Sequence, residues 1–108
     1  MSKLRVTLPY DKLSQDLKEQ LKLVYTDGFS ENLISYTDKD GKNVSALRFE
    51  TDEKIYLIRM TRTQAIEIID EDPDYDDDGS LIDSVKEDYE EKHSDVDYLS
   101  ENDNYDAD

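Results

Sequence analysis

The chain has 108 residues, of which 39% are charged and 35% are hydrophobic, and its formal net charge is −16. It has no cysteine, which excludes disulfides, thiolate metal sites and a cysteine nucleophile. No apolar run approaches the roughly 18 residues that a membrane span needs, and no secretory signal is present, so we expect one cytoplasmic domain.

The first two predicted elements are a strand and a helix. Residues 3–8 alternate apolar and polar side chains, which predicts a half-buried strand ended by Pro9. Farther along, apolar residues recur at helical spacing and therefore share one face of a helix. Asp11 or Ser14 can cap its start, and Asp27 with Gly28 can end it. The apolar face consists of Leu13, Leu17, Leu21, Val24 and Tyr25.

Three strands are predicted next. The β-favouring segments LISYT (33–37) and VSALRF (44–49) flank DKDGK, in which Asp-Gly predicts a hairpin because glycine readily adopts a positive φ. The segment Lys54 to Met60 is rich in β-favouring residues and apolar on both faces. We therefore place this strand at the centre of the sheet.

Two helices joined by an acidic linker complete the predicted elements. Thr61 and Gln64 match the capping-box spacing S/T-x-x-E/Q at the start of a helix that ends near Glu71, before Pro73. Ser80 is the predicted N-cap of the third helix. Its predicted apolar face consists of Leu81, Ile82, Val85 and Tyr89.

The element order β-α-β-β-β-α-α predicts a single α+β domain over residues 1–93, in which helices pack on a small, mainly antiparallel sheet. Residues 61–93 form an acidic helix-linker-helix unit within this domain. Residues 94–108 contain mainly Asp, Ser, Asn and Tyr, and we predict that they form a disordered acidic tail.

The linker contains a partial match to a calcium-binding loop. Within residues 74–85, Asp and Gly occupy positions 1, 3, 5 and 6 of an EF-hand loop, which makes a Ca²⁺-responsive helix-loop-helix an alternative function. Position 12 should be a bidentate Glu but is Val85, and position 9 is Ile82, so we expect at most millimolar affinity. An acidic turn before a helix is the competing interpretation. The candidate ligands are Asp74, Asp76 and Asp78.

No catalytic site or cofactor site is predicted. The acidic run has many carboxylates, but it supplies no apolar pocket that would shift their pKa values. His93 is the only histidine, and we expect a surface or C-cap role for it at the end of the third helix. The chain lacks a nucleophile motif and a glycine-rich phosphate loop, so we expect a non-enzymatic protein.

Three tyrosines lie within acidic sequence. Aromatic residues contribute strongly to binding interfaces, so Tyr75, Tyr98 and Tyr105 are candidate recognition elements for a basic groove. The alternative is that they only touch the edge of the folded domain.

The negative charge is concentrated in the second half of the chain. Residues 1–62 contain 11 Lys/Arg and 10 Asp/Glu (net +1), whereas residues 63–108 contain 2 and 19 (net −17), which together give −16. This charge disfavours direct contact with nucleic acid or a membrane surface. We therefore predict a monomeric interaction or regulatory module whose acidic half binds a basic protein. A nucleic-acid mimic that occupies a DNA-binding protein is a further alternative.

The order of elements is similar to that of short acidic proteins of unassigned function from Bacteroidetes bacteria. The resemblance covers Leu33 to Glu91 and includes LISYTDKDGKNVSAL, DEKIYLIRMT and the Asp-rich segment. It implies a bacterial protein and no particular activity, cofactor or site residue.

Overall fold

The computed structural model describes residues 3–96 and Leu99. These residues form an α+β fold with the predicted order of strands and helices. Each α-helix has 10 residues, and a short 3-10 helix (Tyr10–Lys12) precedes the first of them. No helix in the described part of the chain is long and apolar enough to cross a membrane. The strands are β1 (Leu4–Pro9), β2 (Ile34–Thr37), β3 (Asn43–Glu50) and β4 (Lys54–Arg59); the helices are α1 (Gln15–Val24), α2 (Arg62–Glu71) and α3 (Asp83–Lys92).

The four strands form one mixed sheet in the order β1-β4-β3-β2. The β2–β3 and β3–β4 pairs are antiparallel, whereas β1 and β4 are parallel. The central placement of β4 is confirmed, because this strand pairs with a neighbour on each side. The sheet is therefore mainly antiparallel, with one parallel pair at the β1 edge.

The hydrophobic core lies between one face of the sheet and the helices. Leu47, Phe49 and Ile58 project from β3 and β4 and are fully buried. Leu21 from α1 and Phe29 from the following loop are also fully buried in this core. Burying a side chain of this size stabilises a fold by about 1.5–3 kcal/mol.

Local capping signals define the starts of two helices. The Ser14 hydroxyl accepts a hydrogen bond from the Leu17 N–H and caps α1. Thr61 and Gln64 form the predicted capping box at α2. These contacts form within three residues, which is why the sequence pattern is sufficient to locate them.

The predicted start of α3 is wrong. Ile82 is the N-cap residue and provides no side-chain hydrogen bond, whereas Ser80 lies in the preceding turn. The Ile82 N–H donates to the carbonyl of Asp74, and Leu81 pairs with Tyr75 in an isolated β-bridge. This hairpin keeps the chain extended for two residues beyond Ser80, so Leu81 is buried in the segment before α3 instead of within the helix.

The chain continues past α3 as a hydrogen-bonded turn. The N–H of Ser94 donates to the carbonyl of Glu91, and that of Val96 donates to the carbonyl of His93. Leu99 is partly buried against the core. The rest of the predicted tail, including Tyr98 and Tyr105, lies outside the described residues.

Candidate interaction surface

Most carboxylates of the second half project from a folded backbone. Residues 63–93 contain 2 basic and 13 acidic side chains, a net charge of −11. Eleven of the 13 are exposed, and the other two, Asp72 and Asp74, are partly buried. We call the exposed set the acidic surface: Glu67, Asp70, Glu71, Asp76, Asp77, Asp78, Asp83, Glu87, Asp88, Glu90 and Glu91.

Lys22 connects the acidic linker to α1. Its Nζ lies 2.7 Å from Oδ2 of Asp72 and 2.7 Å from Oδ2 of Asp74. The Tyr89 hydroxyl of α3 donates to the same Asp74 oxygen at 2.6 Å. The Lys22 side chain is only 7% exposed. One buried ammonium group therefore holds the linker, while Asp74 also connects the linker to α3.

The electrostatics of this cluster favour the charged forms of the ion-paired groups. Burial alone would lower the pKa of Lys22, but the hydrogen bonds and charges of Asp72 and Asp74 outweigh it and raise this pKa. Burial alone would raise the pKa of Asp74, whereas hydrogen bonds from Lys22 and Tyr89 bring it below its ordinary value. Burial and the hydrogen bond to Asp74 raise the pKa of Tyr89. At neutral pH Lys22 is therefore an ammonium, Asp74 is a carboxylate and Tyr89 is a neutral phenol.

Tyr75 also fixes the linker to the domain. Its side chain is 6% exposed and its ring packs edge-on against Phe29, with 6.1 Å between the ring centroids. Its hydroxyl donates to the Tyr25 carbonyl at 2.9 Å. The prediction that Tyr75 is a recognition element in flexible sequence is therefore wrong, because the phenol ring is part of the core. Tyr75 and Leu81 flank the Asp-Gly turn symmetrically, and this pattern could have predicted a hairpin that turns both side chains towards the core.

The Asp-rich segment DDDGS forms a hairpin turn. The Asp76 carboxylate accepts hydrogen bonds from the N–H groups of Asp78 and Ser80, at 2.9 and 3.0 Å. Gly79 adopts a φ of +81°, which favours glycine. The segment DKDGK between β2 and β3 repeats this turn, with the first Asp accepting two backbone N–H groups and glycine again at +81°. Turn formation therefore accounts for the spacing of Asp76, Asp78 and Gly79.

Two of the three predicted calcium ligands have other partners in this structure. Asp74 is paired with Lys22 and Asp76 accepts backbone N–H groups, while Asp78 is exposed. Within the described part of the chain, the only three metal-ligating side chains whose donor atoms lie within 4.8 Å of one another are Asp16, Glu19 and His93. A calcium ion at the linker would therefore compete with the Lys22 ammonium for Asp74 and with backbone N–H groups for Asp76.

The second contact between α1 and α3 is centred on Glu19. Oε1 of Glu19 lies 2.9 Å from Nε2 of His93 and 2.9 Å from Nζ of Lys92. Burial alone would raise the pKa of Glu19, but hydrogen bonds from Lys92 and other donors lower it to about 2. Lys92 Nζ also lies 3.6 Å from Asp16. Lys92 therefore joins both carboxylates of α1 to the end of α3.

Of the two roles predicted for His93, a surface role and a C-cap role, the structure shows the C-cap role. Its side chain is 7% exposed because α1 and Glu19 cover it. Glu19 and Lys22 were missed by the sequence reasoning because their partners lie 74 and 52 residues away along the chain. No local pattern in α1 distinguishes these two charged residues from exposed ones.

Comparisons with protein-family models, with curated proteins and with solved structures find no match for this chain. The function proposed below therefore depends on the fold, the charge distribution and the contacts of the chain itself.

Proposed function

We propose that this protein is a non-enzymatic, cytoplasmic interaction module whose acidic surface binds a basic surface of a partner protein. The main supporting observation is the attachment of the linker and α3 to α1 through Lys22 and Glu19. The carboxylates of the acidic surface that lie in the linker and on α3 project from backbone that these contacts hold in place. A fixed arrangement of charges favours specific binding, because less conformational entropy is lost when the complex forms.

The charge density supports electrostatic recognition. Residues 63–93 have a net charge of −11, which attracts Lys- and Arg-rich surfaces over distances set by the Debye length, about 8 Å at physiological ionic strength. Exposed charges of this kind mainly increase association rates and select partners of complementary potential. We therefore expect binding that weakens as salt is added.

Affinity capture from an extract of the cells that express the protein tests this proposal. The full chain is compared with Glu87→Gln/Asp88→Asn/Glu90→Gln, which neutralises three exposed carboxylates of α3. The matched control is Asp40→Asn/Asp52→Asn/Glu53→Gln, which removes the same charge from exposed turns of the first half.

The proposal predicts basic partners that are retained at 50 mM salt by the native chain and by the control, and that are lost with the α3 variant or at 500 mM salt. Equal capture by both variants that persists at 500 mM salt would show that the acidic surface is not the binding site. Release of the captured partner by duplex DNA would identify the narrower case of a nucleic-acid mimic.

A further inference from the structure

The two faces of the sheet have different surroundings. The core side chains of β3 and β4, Leu47, Phe49 and Ile58, point towards the helices. Because side chains alternate along a strand, their neighbours point to the opposite face. Of those neighbours Ala46 is fully buried, but none belongs to the cluster of core side chains that includes Leu47, Phe49 and Ile58. We call this the outer face; its apolar residues are Ile34, Tyr36, Val44, Ala46, Ile55 and Leu57.

Strand pairing brings these apolar side chains together. Ile34 pairs with Ala46 across β2 and β3, and Tyr36 pairs with Val44. A cavity of about 320 Å³ opens on this face, and its lining includes Ile34, Tyr36 and Leu57. Ile34 is 39% exposed although it is a large aliphatic residue. Exposed apolar side chains around a concavity are a common feature of binding sites.

Three arginines flank the apolar side chains of the outer face. In the strand register Arg5 pairs with Ile55, Arg48 pairs with Leu57, and Arg59 pairs with Ala46. All three arginines are exposed. Arg48 has an ion pair with Glu50. Glu50 lies on the same face, where it pairs with Ile55 in the register, so the arginines outnumber the carboxylate there. The outer face therefore differs in sign from residues 63–93, which have a net charge of −11.

We propose that the outer face binds an extended segment of a partner protein that combines acidic side chains with aliphatic or aromatic ones. Arginine pairs with carboxylates through two parallel hydrogen bonds, and the apolar cavity accepts a leucine or tyrosine side chain. This site goes beyond the proposed function, because it lies on another face and selects the opposite charge.

Charge complementarity favours this occupant over two others. A second copy placed face to face would bring three arginines against three arginines, which is unfavourable. A nucleic acid longer than the patch would meet the repulsion of a chain with net charge −16. A short acidic segment contacts only the arginine-flanked patch, and screening beyond about 8 Å weakens repulsion from the other carboxylates.

An NMR titration of the labelled full chain tests the proposal with a defined probe, an octapeptide in which Glu-Leu-Glu-Tyr occurs twice. Control peptides replace Leu and Tyr with Ser, or Glu with Lys. We expect saturable amide shifts centred on Ile34, Tyr36 and Leu57 with the probe, and none there with either control peptide. Shifts centred on α2 or α3, or shifts that do not saturate, would overturn the proposal.

Two pairs of variants separate the site from general charge and hydrophobic effects. Arg5→Gln/Arg59→Gln should weaken probe binding about tenfold, whereas Lys39→Gln/Lys42→Gln, with the same change in charge, should not. Ile34→Ser should also weaken binding, whereas Ile66→Ser on α2, where the side chain is 43% exposed, should have no effect.

If a variant of the outer face and its control weakened probe binding equally, the proposed site would be refuted. Tighter binding of a single-stranded oligonucleotide to the same amides would show that the face binds nucleic acid instead of an acidic peptide. A dimer that the peptide does not dissociate would show that the face binds a second copy of the chain. A failure of this titration would leave salt-dependent capture through α3 unaffected, so the two proposals are tested separately.

Discussion

Replacing Lys22 by Met removes the cation that joins the acidic linker to α1. The Lys22 side chain is 7% exposed, and those of its partners Asp72 and Asp74 are 12% and 19% exposed. Methionine fills a similar volume, so the main consequence is two carboxylates left close together in a partly buried position without a counter-charge. Their mutual repulsion and incomplete hydration then oppose folding.

The expected cost follows from this burial. Removing one partner of a buried ion pair destabilises proteins by about 3–5 kcal/mol. Because both carboxylates retain some contact with water, we expect a loss near the lower limit, about 3 kcal/mol in the free energy of unfolding. For a domain of this size the melting temperature would fall by about 15 °C.

Urea and thermal unfolding, followed by circular dichroism, measure this loss. Lys39→Met, at an exposed turn position, is the matched control and should change stability by less than about 0.5 kcal/mol. The triple variant Lys22→Met/Asp72→Asn/Asp74→Asn should recover most of the loss, because no unpaired charge remains. A loss below about 1 kcal/mol for Lys22→Met, or a triple variant no more stable than the single one, would refute the reasoning.

Three further predictions concern acid stability, turn geometry and calcium. The pKa of Glu19 is lowered to about 2, so the unfolded chain binds more protons in acid, and about 3 kcal/mol of stability present above pH 4.5 should be lost as the pH falls towards 2. Urea unfolding between pH 2 and 7 should show a shallower pH dependence for Glu19→Gln, and an identical dependence would contradict the assignment. Gly79→Ala and Gly41→Ala place a Cβ at a φ of +81° and should each cost about 1 kcal/mol in thermal unfolding, whereas unequal effects would argue against equivalent turns. In amide NMR, Ca²⁺ should give weak shifts near Gly79 that remain unsaturated at millimolar concentration, and a saturable, Ca²⁺-selective response would instead establish the metal site.

Patterns confined to a few neighbouring residues made much of the fold predictable. The capping box of Thr61 and Gln64 identified the start of α2, and Asp-Gly identified the β2–β3 hairpin. The apolar character of both faces of β4 placed this strand correctly at the centre of the sheet. Each of these signals depends on contacts or alternation within about ten residues.

The same local reasoning failed where two interpretations of one segment competed. The residues DDDGS suggested both a helix cap at Ser80 and a metal loop, but the segment forms a hairpin turn that delays α3 to Asp83. Tyr75 was interpreted as exposed because its neighbours are acidic, although its ring packs on Phe29. Acidic neighbours in the sequence do not prevent burial of Tyr75, because the hairpin directs its side chain towards the core.

The sequence by itself determined the types and order of the strands and helices, the hairpin between β2 and β3, and the separation of charge between the two halves of the chain. Only the tertiary structure decided that β1 pairs in parallel with β4, that Lys22 and Glu19 are buried partners of the acidic half, and that one sheet face is apolar and flanked by arginines. The physical reason is distance along the chain. Periodicity and capping depend on neighbouring residues, whereas an ion pair across 52 residues or a sheet face assembled from four strands exists only after the chain has folded.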